Sequence, residues 1–288
     1  MSASPKFGPG GNSASFYESG HKSTLQAPKW ISEIGLDAYE YEAGNGLTAG
    51  LATLSAIGAE ARKHGVAMSL HTPYFISLST PEEEKREKSV SYILRSLEAA
   101  EALAADTVVI HCGGVAKMSR DEGMRHSRLA LELLLSRLPE DYPIRLGLET
   151  MGKINQLGTV DEVIALCKLD PRLYPVVDFG HLNARALGGV FPDADSYLRI
   201  FDRIGDGLGD RYANTLHCHF SKIEFGKGGE KKHLTFEDDL YGPDFLPLAE
   251  AIARDNLSPR IICESAGTMA EDALYMKRAT EEAFARLA

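Results

Sequence analysis

Cysteine is scarce in this chain, and it is not arranged as paired ligands. Among 288 residues there are only 4 cysteines. No two of them have the C-x-x-C spacing; they are Cys112, Cys167, Cys218 and Cys263. This pattern argues against a disulfide framework, a zinc ribbon and a dithiol redox motif. We expect these cysteines to be reduced and to pack in the core as small side chains.

Long apolar runs and a basic, apolar leader are also missing. The first 15 residues are small, polar and rich in glycine and proline. No stretch approaches the roughly 20 apolar residues that span a bilayer. We therefore expect a soluble, cytoplasmic protein with no membrane partner.

Positive charge is in deficit. The chain has 31 Lys+Arg against 41 Asp+Glu, a formal net charge of -10. Such a balance disfavours a mainly basic surface for nucleic acid, although it leaves room for local basic patches.

Apolar segments alternate with amphipathic segments along the whole chain. Strands are predicted at residues 6–8, 38–42, 66–70, 107–110, 144–148, 174–177, 214–216 and 260–263. Helices are predicted at residues 25–34, 50–64, 119–138, 160–168, 195–204 and 245–254, with a long helix opened by Ser79-Thr80-Pro81. An eightfold strand-helix alternation, in a length near the ~250 residues typical of the fold, predicts a (β/α)8 TIM barrel forming one domain over residues 1–288.

A doubly wound parallel sheet is the competing architecture. It calls for a G-x-G-x-x-G turn after the first strand. The segment Gly8-Pro-Gly10-Gly11 has a different spacing and an interrupting proline. The barrel is therefore the favoured fold.

Histidines and carboxylates follow the predicted strands. The strand-end residues are His71, His111, Glu149, Asp178, His217 and Glu264. A barrel brings the carboxyl ends of all its strands to one face. Imidazole and carboxylate are zinc ligands, and a carboxylate can bridge two ions about 3.5–4 Å apart. The pattern predicts a polynuclear metal site, in which Glu149 is placed to bridge.

Further residues near these strand ends have two possible roles each. His219 shares the inward side of its strand with His217 and is either a ligand or a donor behind one. The loop after strand seven carries Lys222, Lys227, Lys231 and Lys232, which form either a local positive patch or an ordinary solvated loop. The pair Tyr74-Phe75 is either core packing or a stacking platform for nucleic acid.

These residues carry a resemblance to a known family. The motifs are His71-Thr-Pro-Tyr74-Phe-Ile-Ser-Leu78, His111, Glu149-Thr150, Asp178-Phe-Gly-His181, Leu216-His217, Ser221-Lys222, His233 and Glu264. The chain resembles the endonuclease IV family of apurinic/apyrimidinic endonucleases, within the xylose-isomerase-like barrel superfamily. The resemblance implies a zinc-dependent hydrolase for DNA repair that cleaves the phosphodiester 5′ to an abasic site, with DNA as its partner.

The resemblance also implies a ligand for each ion. One zinc ion would take His71, His111 and Glu149. The second would share Glu149 and add Asp178, His217 and Glu264, and the third would take His181 and His233. Mn2+ is an alternative at one site. Glu149 and Glu264 would be catalytic, and the DNA contacts would be Tyr74, Phe75, Lys222, Lys227 and Lys231. We expect a monomer.

The sequence departs from the family at the third ion. Where the family has Asp-x-His, this chain has Lys231-Lys232-His233. Glu230 or His219 is a candidate substitute, and the Lys231 ammonium is a candidate replacement for the ion itself. Two or three ions are therefore expected. The loop after strand two is also short, at residues 43–46.

A sugar isomerase or epimerase of the same superfamily is the alternative function. Such an enzyme resembles this chain at Glu149, Asp178, His181, His217 and Glu264, which bind or flank a single divalent ion. The extra imidazoles of His71, His111 and His233 favour the polynuclear hydrolase. A non-catalytic binding module is the third and least favoured class.

Overall fold

Eight parallel strands form a nearly closed barrel in the computed structural model, which describes residues 4–287. The barrel strands are β1 Lys6–Pro9, β2 Ala38–Glu42, β3 Ala67–His71, β4 Thr107–His111, β5 Arg145–Glu149, β6 Leu173–Asp178, β7 His217–Phe220 and β10 Arg260–Cys263. Their order is β1-β10-β7-β6-β5-β4-β3-β2. A parallel bridge between Gly10 and Glu40 brings β1 beside β2. The predicted (β/α)8 barrel is confirmed.

Helices surround the barrel, and a hairpin follows β7. The helices are α1 Ala14–Glu18, α2 Ala27–Glu33, α3 Leu51–His64, α4 Glu83–Leu103, α5 Arg120–Leu135, α6 Val160–Cys167, α7 Phe179–Arg185, α8 Ala194–Leu208, α9 Asp210–Asn214, α10 Leu246–Arg254 and α11 Met269–Leu287. The hairpin consists of the antiparallel strands β8 Ile223–Gly226 and β9 Gly229–His233. Within residues 4–287, no helix is long and apolar enough to cross a membrane.

Local sequence signals explain where several helices begin. Ser119 caps α5: its hydroxyl accepts a hydrogen bond from the Glu122 amide, and the Glu122 carboxylate accepts one from the Ser119 amide. This capping box satisfies amides that the helix itself leaves unpaired. The long helix expected to open at Ser79 begins only at Glu83. Ser79 does not cap it, because the Ser79 hydroxyl donates instead to the carbonyl of Gly114.

Strand residues alternate between an apolar outer layer and a more polar barrel interior. Outward residues such as Leu70, Val108 and Leu146 are fully buried in the hydrophobic core shared with the helices. Inward residues toward the carboxyl ends are polar, and Glu40 and Glu149 are fully buried among them. The barrel thus places its charged side chains along the axis, where neighbouring strands supply their partners.

Strands β1 and β2 approach each other closely at Gly8. A Cβ atom added at Gly8 would lie 1.7 Å from the carbonyl oxygen of Ala38, so no larger residue fits without moving the backbone. We expect Gly8→Ala to lower the free energy of unfolding by about 3 kcal/mol, the upper end of the range for overpacked cores. Denaturant unfolding followed by circular dichroism measures this change.

Gly228 provides the matched control. A Cβ added there meets no atom within 4 Å, so Gly228→Ala should change stability by less than about 0.5 kcal/mol. Equal stability of the two variants would contradict the close approach of β1 to β2.

Candidate metal centre

A cavity of about 510 Å³ opens at the carboxyl ends of the barrel strands. Its walls and floor carry the histidines and carboxylates of several elements. Those gathered there are His71 of β3, His111 of β4, Glu149 of β5, Asp178 of β6, His181 of α7, His219 of β7, Glu230 and His233 of β9, and Glu264 after β10. The strand ends therefore converge as the sequence predicts.

Glu149 lies at the centre of the cluster. Its Oε2 atom is 3.3 Å from Nε2 of His71 and 3.1 Å from Nε2 of His111. Its Oε1 atom is 3.0 Å from Nδ1 of His219 and 3.4 Å from Nδ1 of His181. The two oxygens thus face different imidazole pairs, which is the arrangement of a carboxylate that bridges two cations.

Backbone carbonyls set the orientation of two of these imidazoles. Nδ1 of His71 lies 2.8 Å from the carbonyl of Thr72, and Nδ1 of His181 lies 3.0 Å from the carbonyl of Thr150. When these Nδ1 atoms carry the proton, each Nε2 is left with a free lone pair. A hydrogen bond of this kind on one ring nitrogen is what prepares the other as a metal ligand.

Asp178 supplies an unpaired carboxylate oxygen to the same cluster. Its Oδ1 atom accepts a hydrogen bond of 2.6 Å from the amide of His181 and so caps α7. Its Oδ2 atom is buried, lies 3.3 Å from Nδ1 of His181 and has no hydrogen-bond partner among residues 4–287. A buried, unpaired carboxylate oxygen is costly unless a cation neutralises it. The donor set around Asp178, with Glu149, His219 and Glu264, therefore fits a metal ion.

His219, not His217, meets Glu149. The strand predicted at residues 214–216 is displaced, since α9 ends at Asn214 and β7 starts at His217. His217 consequently lies one inward layer lower, with its Nε2 atom 3.1 Å from Oε2 of Glu40. The two-residue period puts His219 on the same inward side and level with the other ligands.

The hairpin supplies two groups for a third ion. Glu230 and His233 are three residues apart, an odd spacing that would put them on opposite faces of a regular strand. The pairing shifts register, with Phe225 opposite Glu230 and Glu224 opposite Lys232. In this β-bulge the backbone of Lys231 has no residue opposite it on β8, and Glu230 is turned to the same side as His233.

The third ligand set is then complete. Oε2 of Glu230 lies 3.5 Å from Nε2 of His181. His181, Glu230 and His233 offer ligand atoms that lie within 4.8 Å of one another. The Ser221 hydroxyl is 2.8 Å from Nδ1 of His233, which leaves Nε2 of His233 for an ion. Of the two candidate substitutes, Glu230 is the one that lies beside His181 and His233.

The aromatic pair predicted to contact DNA lies on the cavity rim. Tyr74 is 60% exposed and Phe75 is 54% exposed. The Tyr74 ring lines the cavity, 5.9 Å from the His111 ring between centroids. Phe75 packs edge-on against Tyr92 at 4.8 Å. The Tyr74 ring therefore lies at the cavity, whereas the exposed Phe75 ring packs against Tyr92 of α4.

The lysines after β7 divide into two groups. Lys227 and Lys231 are exposed on the hairpin, and the ammonium of Lys231 lies 3.1 Å from a carboxylate oxygen of Glu224. Lys222 is only 9% exposed. Its ammonium donates to the carbonyls of Phe236 and Asp238 and so anchors the following loop. The structure thus places Lys222 away from the predicted surface patch.

Two carboxylates in the barrel were not singled out from the sequence. Glu40 lies under the cluster, and Glu42 borders the cavity with both oxygens buried and without hydrogen-bond partners in the described chain. Burial raises the pKa of Glu42 to about 7. The signal was the alternation Glu40-Tyr-Glu42 in β2, which points both acids inward.

The histidines and carboxylates of this cluster shift one another's pKa values. Burial disfavours a charged His71, but its hydrogen bond to Glu149 and the surrounding carboxylates outweigh burial and raise its pKa to about 10. Burial also disfavours ionisation of Glu149, yet the imidazoles, led by His219, hold the pKa of Glu149 well below its usual range. Burial raises the pKa of Glu264 well above its usual range. Without metal, protons on imidazoles balance the buried carboxylates.

These shifts predict that metal binding releases protons. His71 keeps its proton below a pH of about 10, and Nε2 must lose that proton to bind an ion. We therefore expect zinc affinity to rise with pH between about 6 and 8. Titration calorimetry at one pH in buffers of different ionisation enthalpy counts the protons released. Identical heats in all buffers would contradict this coupling.

Relatives of this chain come from one broad family. The sequence profile of the family described as "Xylose isomerase-like TIM barrel" matches residues 28–282. An uncharacterized protein of Methanocaldococcus jannaschii is 30% identical over 213 residues, which are 74% of this chain and 76% of that protein. "Probable endonuclease 4" of Carboxydothermus hydrogenoformans is 29% identical over 188 residues. That match covers 60% of this chain and 60% of that protein.

Two solved structures share the fold. A D-tagatose 3-epimerase-like protein has a TM-score of 0.72 at 19% identity, covering 98% of this chain and 100% of that chain. Endonuclease IV from Thermus thermophilus has a TM-score of 0.68 at 18% identity, covering 99% and 100%. At these identities the likeness shows the fold alone. The resemblance to endonuclease IV proteins is confirmed, and the extent of the profile match shows that this chain belongs to the xylose isomerase-like TIM barrel family.

Proposed function

We propose that this protein is a zinc-dependent phosphodiesterase that cleaves DNA 5′ to abasic sites. The observation that carries the proposal is the position of Glu149 between two ligand sets, with a third set beside them. Three adjacent sets suit a polynuclear hydrolytic centre better than a single-ion enzyme. The relatives named endonuclease 4 support the same reaction class.

Each proposed ion has its own ligands. The first would take His71, His111 and Glu149, and the third would take His181, Glu230 and His233. The second would take Glu149 together with Asp178, His219 and Glu264. When bound, the ions would lower the pKa of water for attack and stabilise the charge on the departing oxygen. His219 thus takes the place that the resemblance assigned to His217.

The remaining residues of the cavity have roles in binding and proton transfer. Glu264 faces the cavity, with one oxygen 3.3 Å from Nδ1 of His219 and the other 3.8 Å from Nδ1 of His233, where it can hold a proton. Lys153 lines the wall and places a cation beside the substrate's phosphate. Tyr74 and Phe75 offer rings on which exposed bases can stack. These side chains suit an anionic, base-bearing substrate.

A sugar epimerase is the second candidate. The structural likeness to a D-tagatose 3-epimerase-like protein favours it, and the set of Glu149, Asp178, His219 and Glu264 could hold the single ion that such an enzyme needs. That reaction leaves the imidazoles of His71, His111 and His233 without a use. The phosphodiesterase uses all of them.

Cleavage of a defined duplex tests the proposal. Zinc-loaded protein should cut an end-labelled duplex immediately 5′ to a tetrahydrofuran abasic analogue. Glu149→Gln should slow the cut by more than roughly 100-fold, because even a residue behind a metal ligand is worth about 10–100-fold. Glu98→Gln, on the exposed surface of α4, is the control and should retain the wild-type rate. An uncut duplex, with one ion per chain and interconversion of ketohexoses, would move the assignment to the epimerase.

The third ligand set has its own test. Glu230→Gln should remove up to one zinc ion per chain, measured by elemental analysis after gel filtration, because a neutral amide is a poorer zinc ligand than a carboxylate. Glu224→Gln is the matched control in the same hairpin, since Glu224 pairs with Lys231 and Lys232 on the solvent side. Equal metal content in the two variants would remove Glu230 from the ligand set.

A further inference from the structure

A buried acid lies directly beneath the proposed metal centre. Glu40 is fully buried, and so is its neighbour His219. Oε1 of Glu40 is 2.9 Å from Nε2 of His219, and Oε2 of Glu40 is 3.1 Å from Nε2 of His217. One carboxylate therefore meets two imidazoles, each through Nε2.

The contact between Glu40 and His219 joins a buried carboxylate oxygen to a buried ring nitrogen. Oε1 of Glu40 and Nε2 of His219 meet in an ion-pair contact of 2.9 Å, and neither atom has a hydrogen-bond partner among residues 4–287. Two buried polar atoms at hydrogen-bonding separation, each otherwise unsatisfied, stabilise each other most when the nitrogen carries a proton. A proton on Nε2 leaves Nδ1 of His219 as the ring nitrogen available to a metal. That Nδ1 atom faces Glu149 at 3.0 Å and Glu264 at 3.3 Å.

We propose that Glu40 is a positioning residue that holds His219 with Nε2 protonated and Nδ1 directed at the second ion. The inference rests on the proposed metal centre. Carboxylate, imidazole and ion would form one line along the barrel axis, in which the carboxylate raises the basicity of the ligand. Glu40 touches neither substrate nor ion and acts only through His219.

Because Glu40 contacts His217 as well as His219, the position requires a side chain that can accept from both imidazoles. An ionised Glu40 accepts from both imidazoles, whereas a glutamine at this position offers one accepting oxygen and one donating amide. In Glu40→Gln, either His217 or His219 would therefore face an N–H group and would have to shift its proton to Nδ1. Whenever this happens at His219, its Nδ1 atom is lost as a ligand.

The wild-type protein allows a direct measurement. With 15N-labelled histidine and bound 113Cd2+ as the probe, nuclear magnetic resonance detects which ring nitrogen couples to the metal. We expect coupling to Nδ1 of His219 and a retained proton on its Nε2. Coupling to Nε2 of His219 or of His217 would mean that an ion lies between these rings and Glu40, and it would overturn the inference. This measurement needs no variant to fold.

The variant gives the size of the effect. Glu40→Gln should show His219 in two proton forms and should release cadmium roughly 10–100-fold faster to a chelator. Glu42→Gln is the matched control, because it makes the same substitution two residues along β2, in a side chain that has no hydrogen bond to a histidine. It should retain Nδ1 coupling and change the release rate by less than about threefold, well under the loss of an oriented ligand. Equal effects of the two variants would reduce the role of Glu40 to its charge and overturn the inference.

The outcome separates this inference from the proposed function. Metal release that depends on Glu40, in a protein that leaves abasic DNA uncut, would keep the positioning role and reject only the phosphodiesterase. Cleavage of abasic DNA, with His219 unchanged in Glu40→Gln, would keep the phosphodiesterase and reject only the positioning role.

Discussion

The buried carboxylate of Glu149 is the group on which the cavity depends. It is fully inaccessible to solvent and is surrounded by imidazoles on both oxygens. An isolated charge at this depth would be strongly unfavourable, so it must be neutralised by protons on the imidazoles or by cations. The β3, β4, β6 and β7 strand ends and α7 are oriented around that requirement. Protons and metal ions are alternative ways to neutralise this carboxylate, which is why we expect metal affinity to depend on pH.

The barrel extends this balance of charge in layers. Beneath Glu149 lies His219, and beneath His219 lies Glu40, which His217 also contacts. Acid and imidazole therefore alternate from Glu149 through His219 to Glu40, and each of these three side chains has a partner of the other kind. Position 8 of β1 is a glycine, because its approach to the backbone of Ala38 leaves no room for a side chain.

The fold by itself does not decide between a phosphodiesterase and an epimerase, since one barrel hosts many reactions. The decision lies in the side chains added around the shared set of Glu149, Asp178, His219 and Glu264. His71 and His111 add two imidazoles to this set on one side, and the hairpin adds Glu230 and His233 on the other side. Lys231 has no residue opposite it in the register of β8 and β9, and this one extra residue turns Glu230 inward. A one-residue change in a strand thereby supplies an acid in place of the family's Asp-x-His spacing.

The sequence by itself determined the barrel and most of the histidines and carboxylates that gather at its carboxyl end. Both follow from local patterns: the strand-helix alternation, and polar residues at strand ends that a parallel barrel must bring together. His71, His111, Glu149, Asp178 and Glu264 could be identified in this way because each directly ends or follows a regular apolar run.

Only the tertiary structure decided which histidine of β7 meets Glu149, which acid completes the third set and which lysines remain exposed. His217 and His219 share one inward face, so their heights depend on how β7 pairs with β6 and β10 rather than on their own sequence. Glu230 turns inward because of a register shift between β8 and β9, and Lys222 turns inward because a loop 14 residues away offers it carbonyl oxygens. These are contacts between segments distant in sequence, and a pattern read along one strand carries no information about its partner.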